Sequence, residues 1–597
     1  VTLAIYSLAY SQTWFLSSIR HQNLILLFGL VLVFLTTMQK NRKFFWPCLL
    51  LIIASFFAAI YVHLFEQDLW DRQGFPNTLD IVVGIIIIVA VIEAMREAFG
   101  YILFSMVLLS IAYLIWGHNL PGVFYHPPMK LVKVVSYLSI GFHGIYGTFL
   151  SATALYIVLF ILFGGILQAA GTNTFFFEMG KMIGRQLRSG IAQTAVISSM
   201  LVGMFTGTAM GNVALTGSFT IPLMKRFGYA PEEAGAVEAS ASSGGQIMPP
   251  VLGAAAFLMV AITGIPYVTI CFRILIIAIL YYLGVGIGLQ LLACKKGIPK
   301  QEIAYDLGII IKRAPLFVIP VGIIIALLVM GYSPQYAGFW AIIATIAVSF
   351  TSKATALTFR RFVDGCKDGA KSAMGIIATC GGLGVIYTVL TVTGLGVKIG
   401  QMVEVWSMGS LTVATFITMG LSILIGCGAP TLAAYALVAI IVAPFLVKLG
   451  MDLLTAHLFC FVFATFSAVT PPVAPAAIVG SGMAGGNYFK TAFIAMKLCA
   501  MAYVSAWLMT LNSALTGVFN DLLNGIITLI SACFITVLLQ VVNFSYLFRK
   551  INPLLRGVFV AATLSLIAYI ATLTMWFFCI GVILCILGIL WQKYSET

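Results

Sequence analysis

Apolar runs dominate this chain, and they are of two kinds. Long, nearly uninterrupted runs cover 24–38, 46–63, 79–95, 101–116, 151–170, 268–292, 315–331, 336–350, 409–426, 431–448, 490–510, 526–547, 557–573 and 575–592. About 20 mostly apolar residues carry a helix across the hydrocarbon core, so these runs predict spanning helices. Other runs are equally apolar but are interrupted by glycine, proline, serine and threonine. Together they predict an all-α polytopic membrane protein with roughly 15 to 18 embedded elements.

The texture of these runs divides the chain. Residues 1–116 hold about four plain helices with few internal polar groups, read as a small four-helix membrane domain. A connector over 117–140 contains "GHNLPGVFYHPPMK". Residues 141–515 place Gly, Ala, Ser and Thr inside hydrophobic segments, and residues 520–597 are plain again. Polar groups in lipid are costly unless they are buried in protein or line a cavity. The middle block is therefore expected to carry the function. The outer two are expected to serve as scaffold, bracing or docking surface.

Composition narrows the class further. Of 597 residues, 61% are hydrophobic and 8% charged, far too few charges for a soluble chain of this size. The net charge of +14 does not point to nucleic acid, because the basic residues cluster in short segments. These hold Lys40, Arg42 and Lys43; Lys181, Arg185 and Arg188; Lys295, Lys296 and Lys300; Lys312 and Arg313; Lys353, Arg360, Arg361, Lys367 and Lys371; Arg549, Lys550 and Arg556. Such clustering marks cytoplasmic loops, and the acidic stretch Glu66 to Asp71 is placed outside. Eleven scattered cysteines and six dispersed histidines form no metal-ligand pattern, and no GxxxxGK[ST] occurs. The chain is thus expected to use no cofactor and no P-loop ATP chemistry. It opens without Met and without a cleavable signal pattern, so its natural start is expected upstream.

The middle block repeats itself. "SFTIPLMKRFG" (218–228) is echoed by "IIVAPFLVKLG" (440–450), and "MPPVLGAAA" (248–256) by "TPPVAPAAI" (470–478), both at an offset of 222. "GTAMGN" (207–212) corresponds to "GCGAPT" (426–431) with slight slippage. The duplicated halves are placed at about 141–292 and 371–515, joined by helices over 313–350. Duplicated membrane halves with discontinuous helices mark secondary transporters that bind at the midplane.

On this reading "SASSGGQIMPP" (240–250) and "FATFSAVTPP" (463–472) are the tips of two re-entrant hairpins, where proline stops the helix and glycine allows close approach. The first tip offers Ser240, Ser242, Ser243, Gly244, Gly245 and Gln246, and the second Thr465, Ser467 and Thr470. Facing them, as unwound helix segments, stand Thr206, Thr208 and Asn212, and Gly426, Gly428, Pro430 and Thr431. Small residues also serve plain helix packing, and a threonine can bond back to its own helix. Glu238, two residues before the first tip, is a candidate proton carrier, or else a carboxylate at a hydrated mouth or paired with Lys225 or Arg226. His457 reads as a hydrogen-bonded helix histidine, and Glu178, Asp364 and Asp368 as interfacial loop residues.

The stretch "TGSFTIPLMKRFGYAPEEAGAVEASASSGGQIMPPVLGAAAF" (216–257) resembles the large permease subunit of tripartite ATP-independent periplasmic (TRAP) transporters, in the TAXI subclass. The resemblance covers most of the chain. About 24–116 is similar to the small four-helix subunit, fused ahead of the large one, and the C-terminal spans are similar to an extension of some fused TAXI permeases. It implies an inner-membrane carrier to which a periplasmic binding protein delivers an organic acid. It also implies an elevator motion of the hairpin-bearing domain, usually coupled to sodium, with substrate and ion sites at the tips and their partner segments. A proton is the alternative coupling ion. A lipid-modifying membrane enzyme, a channel, and a self-sufficient carrier of the same fold class stay open on the residues alone.

Overall fold

The computed structural model describes residues 1–300, 302–519 and 521–594. The boundary expected at 520 and the last three residues of the C-terminal block therefore lie outside the described residues. Helices make up the described chain, and no strand forms among those residues. Among the described residues, eleven helices are long and apolar enough to cross a membrane, or twelve if the bent pair Tyr488–Leu498 and Ala500–Leu511 counts as one span.

The two ends of the molecule differ in charge. At one end Lys296 pairs with Glu233 at 2.6 Å, Lys295 donates to the Phe544 carbonyl at 2.8 Å, and Arg313 to the Gly171 carbonyl at 2.6 Å. At the other end lie Arg20 with Glu66, buried Asp80 with Arg72, and Lys448 with Glu404. Lys- and Arg-rich segments collect at the first, which makes it the cytoplasmic end by the positive-inside rule.

Phe359–Val392 is the longest helix, with 34 residues, and is absent from the plain runs of the sequence. Thr358 caps it, and its first turns carry Arg360, Arg361, Asp364, Lys367, Asp368 and Lys371 before the apolar stretch begins. A helix of this length spans about 51 Å, more than a bilayer core requires, so the charged turns project at the basic end. Asp364 and Asp368 thus stand on a helix and not in a loop. Glu178 too is helical: it is buried in Thr172–Gly184, pairs with Lys181 at 2.7 Å and accepts from the Asp306 amide at 2.8 Å.

The Phe359–Val392 helix packs on Val158–Ala169 and on the N-terminal block. A Cβ on Gly165 would lie 2.5 Å from the Gly365 carbonyl oxygen, and one on Gly29 would lie 2.5 Å from Ile377. This central pair packs between the N-terminal helices and the repeated elements, which also meet directly, a Cβ on Gly428 falling against the Ile102 side chain.

The C-terminal helices Leu522–Phe544, Pro553–Thr572 and Met575–Tyr594 dock elsewhere, on Tyr267–Lys295 and Ala500–Leu511. Gln540 Nε2 donates to the Leu498 carbonyl at 3.3 Å and Asn543 Nδ2 to the Lys497 carbonyl at 3.2 Å. These carbonyls stand where the chain bends by 43° between Tyr488–Leu498 and Ala500–Leu511, which the plain run over 490–510 does not announce. The run over 431–448 is likewise divided, into Thr431–Ile441 and Ala443–Lys448, next to Pro444.

Candidate functional site

The repeated elements settle how each half threads the membrane. Gly190–Thr206 and Ala209–Arg226 lie antiparallel: Asn212 Nδ2 donates to the Ser199 carbonyl at 2.8 Å, and Thr216 Oγ1 stands 3.4 Å from Ser199 Oγ. Both begin and end at the basic end, where the Ser189 hydroxyl donates to Gln290 at 2.9 Å. They form a re-entrant hairpin whose turn is Gly207, at φ 71°, and Thr208.

The serine-rich segment behaves differently. Pro231–Gly245 starts at the basic end, beside Lys296, and Ala254–Thr263 continues it after the Gln246–Gly253 break. Three residues later Tyr267–Lys295 begins, and its 29 residues run about 43 Å back to the basic end. Tyr267 donates to the Val251 carbonyl, Tyr281 to the Ser240 carbonyl at 2.7 Å, and Lys296 pairs with Glu233, so this helix runs antiparallel to Pro231–Gly245. The Pro249–Pro250 segment is therefore a break in a crossing helix and not the tip of a hairpin.

The second half repeats this upside down. Leu411–Gly426 and the pieces from Thr431 to Lys448 enter from the acidic end, where Lys448 meets Glu404, and turn at Gly428, φ 81°. Leu453–Phe466 and Pro475–Ala484 form the second broken helix. It finishes at the basic end, with the Ala484 carbonyl accepting from Lys225 at 2.7 Å. The expected roles are exchanged: "GTAMGN" and "GCGAPT" are the hairpin turns, and the two Pro-Pro segments are the unwound breaks facing them. The reason is physical. Proline stops a helix but does not decide whether the chain then reverses or continues, and only neighbouring packing does.

Each hairpin turn abuts the break of its own half. Gly203 meets Gly245 backbone to backbone, and a Cβ on Gly426 would fall 2.1 Å from Ser467 Oγ. The two broken helices cross each other at Gly235 and Gly480, also backbone to backbone. Two pseudo-equivalent junctions of helix ends are thereby brought into one body.

The candidate side chains divide among several faces. Thr206 and Thr208 are half-buried and line a cavity of about 560 Å³ at the basic end, shared with Gln168, Glu97, Lys40 and Lys371. This vestibule runs along the seam between the first hairpin and the central and N-terminal helices. A second cavity, of about 740 Å³, opens at the acidic end among Gln22, His143, Tyr387 and Thr391 and touches none of the candidate residues.

The remaining candidates are enclosed. Ser240 and Ser243 donate to carbonyls of their own helix, at Ala236 and Ala239, as do Thr465 at Phe461 and Ser467 at Ala464. Thr470 donates to Phe466 and shares a 2.7 Å hydrogen bond with Tyr503. Gly244 lies under the Tyr281 ring, and Gln246 Nε2 is buried without a partner. Pro430 and Thr431 open the second arm of the second hairpin, both buried. His457 is held by Tyr435 at 2.9 Å, as a helix histidine.

Glu238 is neither hydrated nor paired with Lys225 or Arg226. It is fully buried against the first hairpin, where Thr216 and Thr220 hydroxyls contact its two oxygens and Ser242 Oγ lies at 3.4 Å. Ser242 in turn meets Ser199 at 2.9 Å. Ser199, Thr216 and Thr220 are absent from the sequence-derived site. Their signal was available: two threonines four residues apart, on the arm antiparallel to a carboxylate-bearing helix, present one hydroxyl to each oxygen.

The model for the family described as "Tripartite ATP-independent periplasmic transporter, DctM component" matches residues 86–520, which include both hairpins, both broken helices and the central helix pair. A curated relative, "Uncharacterized protein y4mL" of Sinorhizobium fredii (strain NBRC 101917 / NGR234), is 22% identical over 380 residues, covering 62% of this chain and 89% of that protein. With its multi-pass helical architecture, the chain belongs to the DctM family of TRAP transporter permeases, and is an inner-membrane secondary transporter and not an enzyme.

Proposed function

We propose that this permease takes up an organic acid that a periplasmic binding protein of the TAXI type delivers, with the small four-helix unit fused ahead of the large one. The body of hairpins and broken helices slides as an elevator against the N-terminal and central helices. An ion gradient drives the motion, and sodium is the coupling ion we favour.

The observation that carries this reading is the vestibule at the basic end. It follows the seam between the two parts and ends on Thr206 and Thr208 at the turn of the first hairpin. A body that slides along such a seam exposes its turn to one side of the membrane at a time. Threonine hydroxyls and the free carbonyls of helix ends suit a carboxylate substrate and an oxygen-seeking monovalent cation. The vestibule wall carries Lys40 and Lys371 beside Glu97 and Asp368, so its formal charges balance and raise no net barrier to an anion.

Reconstitution tests the reading. Vesicles holding this chain alone should accumulate little organic acid, and an inward sodium gradient with external binding protein should give concentrative uptake. Strong uptake without the binding protein would favour a self-sufficient carrier of the same fold. Non-saturable flux would point to a channel.

A further inference from the structure

We propose that Glu238 is a proton site of the moving body, linked through Thr216 and Ser199 to Asn212 beside the vestibule-lining turn, so that a proton travels with the substrate. The proposal rests on the uptake reading above. It adds a coupling charge distinct from the sodium assigned to the hairpin turns.

Glu238 has no cationic neighbour. On the hairpin, Lys225 is engaged by the Ala484 carbonyl. From Tyr267–Lys295 the nearby titratable groups are Tyr281 and Tyr282, whose hydroxyls are taken by the Ser240 and Ala241 carbonyls, and Cys499 bonds to Tyr281 at 3.3 Å. Pro475–Ala484 brings Gly480, Ser481 and Met483 to this side, none of them charged, and Tyr488–Leu498, also packed on this helix, carries Lys490 and Lys497 at exposed positions. A carboxylate buried in protein at membrane depth, with no cation beside it, is stable only if it takes up positive charge during the cycle. Hydroxyls touch it directly on both oxygens of a fully buried carboxyl, so the small charge that fits without parting these contacts is a proton.

The surrounding hydroxyls serve both charge states. Thr216 Oγ1 lies 2.8 Å from the Asn212 carbonyl as well as against Glu238, and Thr220 Oγ1 lies 2.9 Å from the Thr216 carbonyl as well as against Glu238. When the carboxylate is ionised, both threonines donate to it. When it holds the proton, it donates to a hydroxyl oxygen, and the threonines turn to the carbonyls four residues back. In either state the two threonine hydroxyls keep a hydrogen-bond acceptor.

A route to water is also present. Thr208 and Gly211 line the vestibule, and the next residue, Asn212, places Nδ2 3.0 Å from Ser199 Oγ. Ser199 Oγ is 3.4 Å from Thr216 Oγ1, which contacts Glu238. Asn212 Oδ1 is buried without a partner, an acceptor left open along this path. Facing inward, the Glu238 O–H bond breaks as its proton passes to a hydroxyl. That hydroxyl's own proton passes by way of Ser199 Oγ to a water at the turn, leaving the carboxylate; Asn212 Nδ2, a donor only, positions Ser199 and carries no proton. Facing outward, the carboxylate takes a proton from external water.

Two measurements test this. Infrared difference spectra of the purified full chain against pH should show the carbonyl stretch of a protonated carboxyl. That band should vanish in Glu238→Gln, shift in Thr220→Val, and withstand added sodium chloride. In pyranine-loaded vesicles, external binding protein carrying the organic acid it co-purifies with should acidify the lumen. One coupled proton changes the accumulation ratio about tenfold per pH unit of gradient. Glu238→Gln should bring acid in without that dependence. A band that persists in Glu238→Gln, a band that sodium removes, or equal acidification by the variant would overturn the proposal. Absence of any import by the wild-type chain would defeat the uptake reading, while the infrared band still decides Glu238.

Discussion

Gly203 and Gly245 meet without side chains between them: a Cβ on Gly203 would lie 2.9 Å from the Gly245 Cα, and one on Gly245 would lie 2.7 Å from the Gly203 Cα. This contact holds the first hairpin turn against the first helix break, and it leaves no volume to spare. Gly245→Val should cost about 1–3 kcal/mol through overpacking and should lower uptake with it. Gly420, in the second hairpin, has no heavy atom within 4 Å of a built Cβ, so Gly420→Ala should be neutral or slightly stabilising. Thermal unfolding of the two variants in detergent checks the contrast, and equal shifts would remove the junction from the account.

The exchanged roles of the turns and the Pro-Pro segments have a labelling consequence. In a background without native cysteines, Thr208→Cys should react with an impermeant maleimide from the cytoplasmic face, through the vestibule. Ser243→Cys, whose position is fully buried, should react far more slowly from either face. Faster labelling at 243 than at 208 would return the serine-rich segment to a hairpin tip.

Gln540 ties the C-terminal helices to the bend before Ala500. Gln540→Leu removes the donor to the Leu498 carbonyl, a cost of about 1–3 kcal/mol that loss of the buried, unpartnered Gln540 Oε1 partly offsets. A lower unfolding temperature for this variant is expected, with a smaller drop for Asn543→Ala, whose amide sits at an exposed position. An unchanged unfolding temperature in Gln540→Leu would show that the bend does not need the C-terminal unit.

Much of this architecture was legible in the chain. Apolar runs announced the plain helices because lipid imposes one length and one polarity on them. The 222-residue echo announced the duplication, and the paired glycines and prolines announced both junctions. Direction was not legible. Whether the chain reverses at Thr206–Thr208 or at Pro249–Pro250 depends on which arms pack antiparallel, and Ser199 with Asn212 and Gly235 with Gly480 settle that only in three dimensions. The Phe359–Val392 helix was hidden by its six charged residues, which look like a loop until the helix proves long enough to carry them outside the bilayer. Glu238 looked hydrated because polar residues follow it in sequence, whereas its actual neighbours come from the hairpin arm.

The central claim is that the body of hairpins and broken helices moves against the central helix pair, and one covalent tie tests it most directly. Phe160, on Val158–Ala169, and Phe257, just past the first break, meet with tilted rings whose centroids lie 4.6 Å apart across the seam. Phe160→Cys with Phe257→Cys, joined by a short bismaleimide in vesicles, should abolish binding-protein-dependent uptake. A control tie within the body, Tyr435→Cys on the second hairpin with Phe461→Cys on the second broken helix, whose parent rings lie 5.8 Å apart, should leave uptake standing. Full uptake with the seam cross-linked would contradict the account.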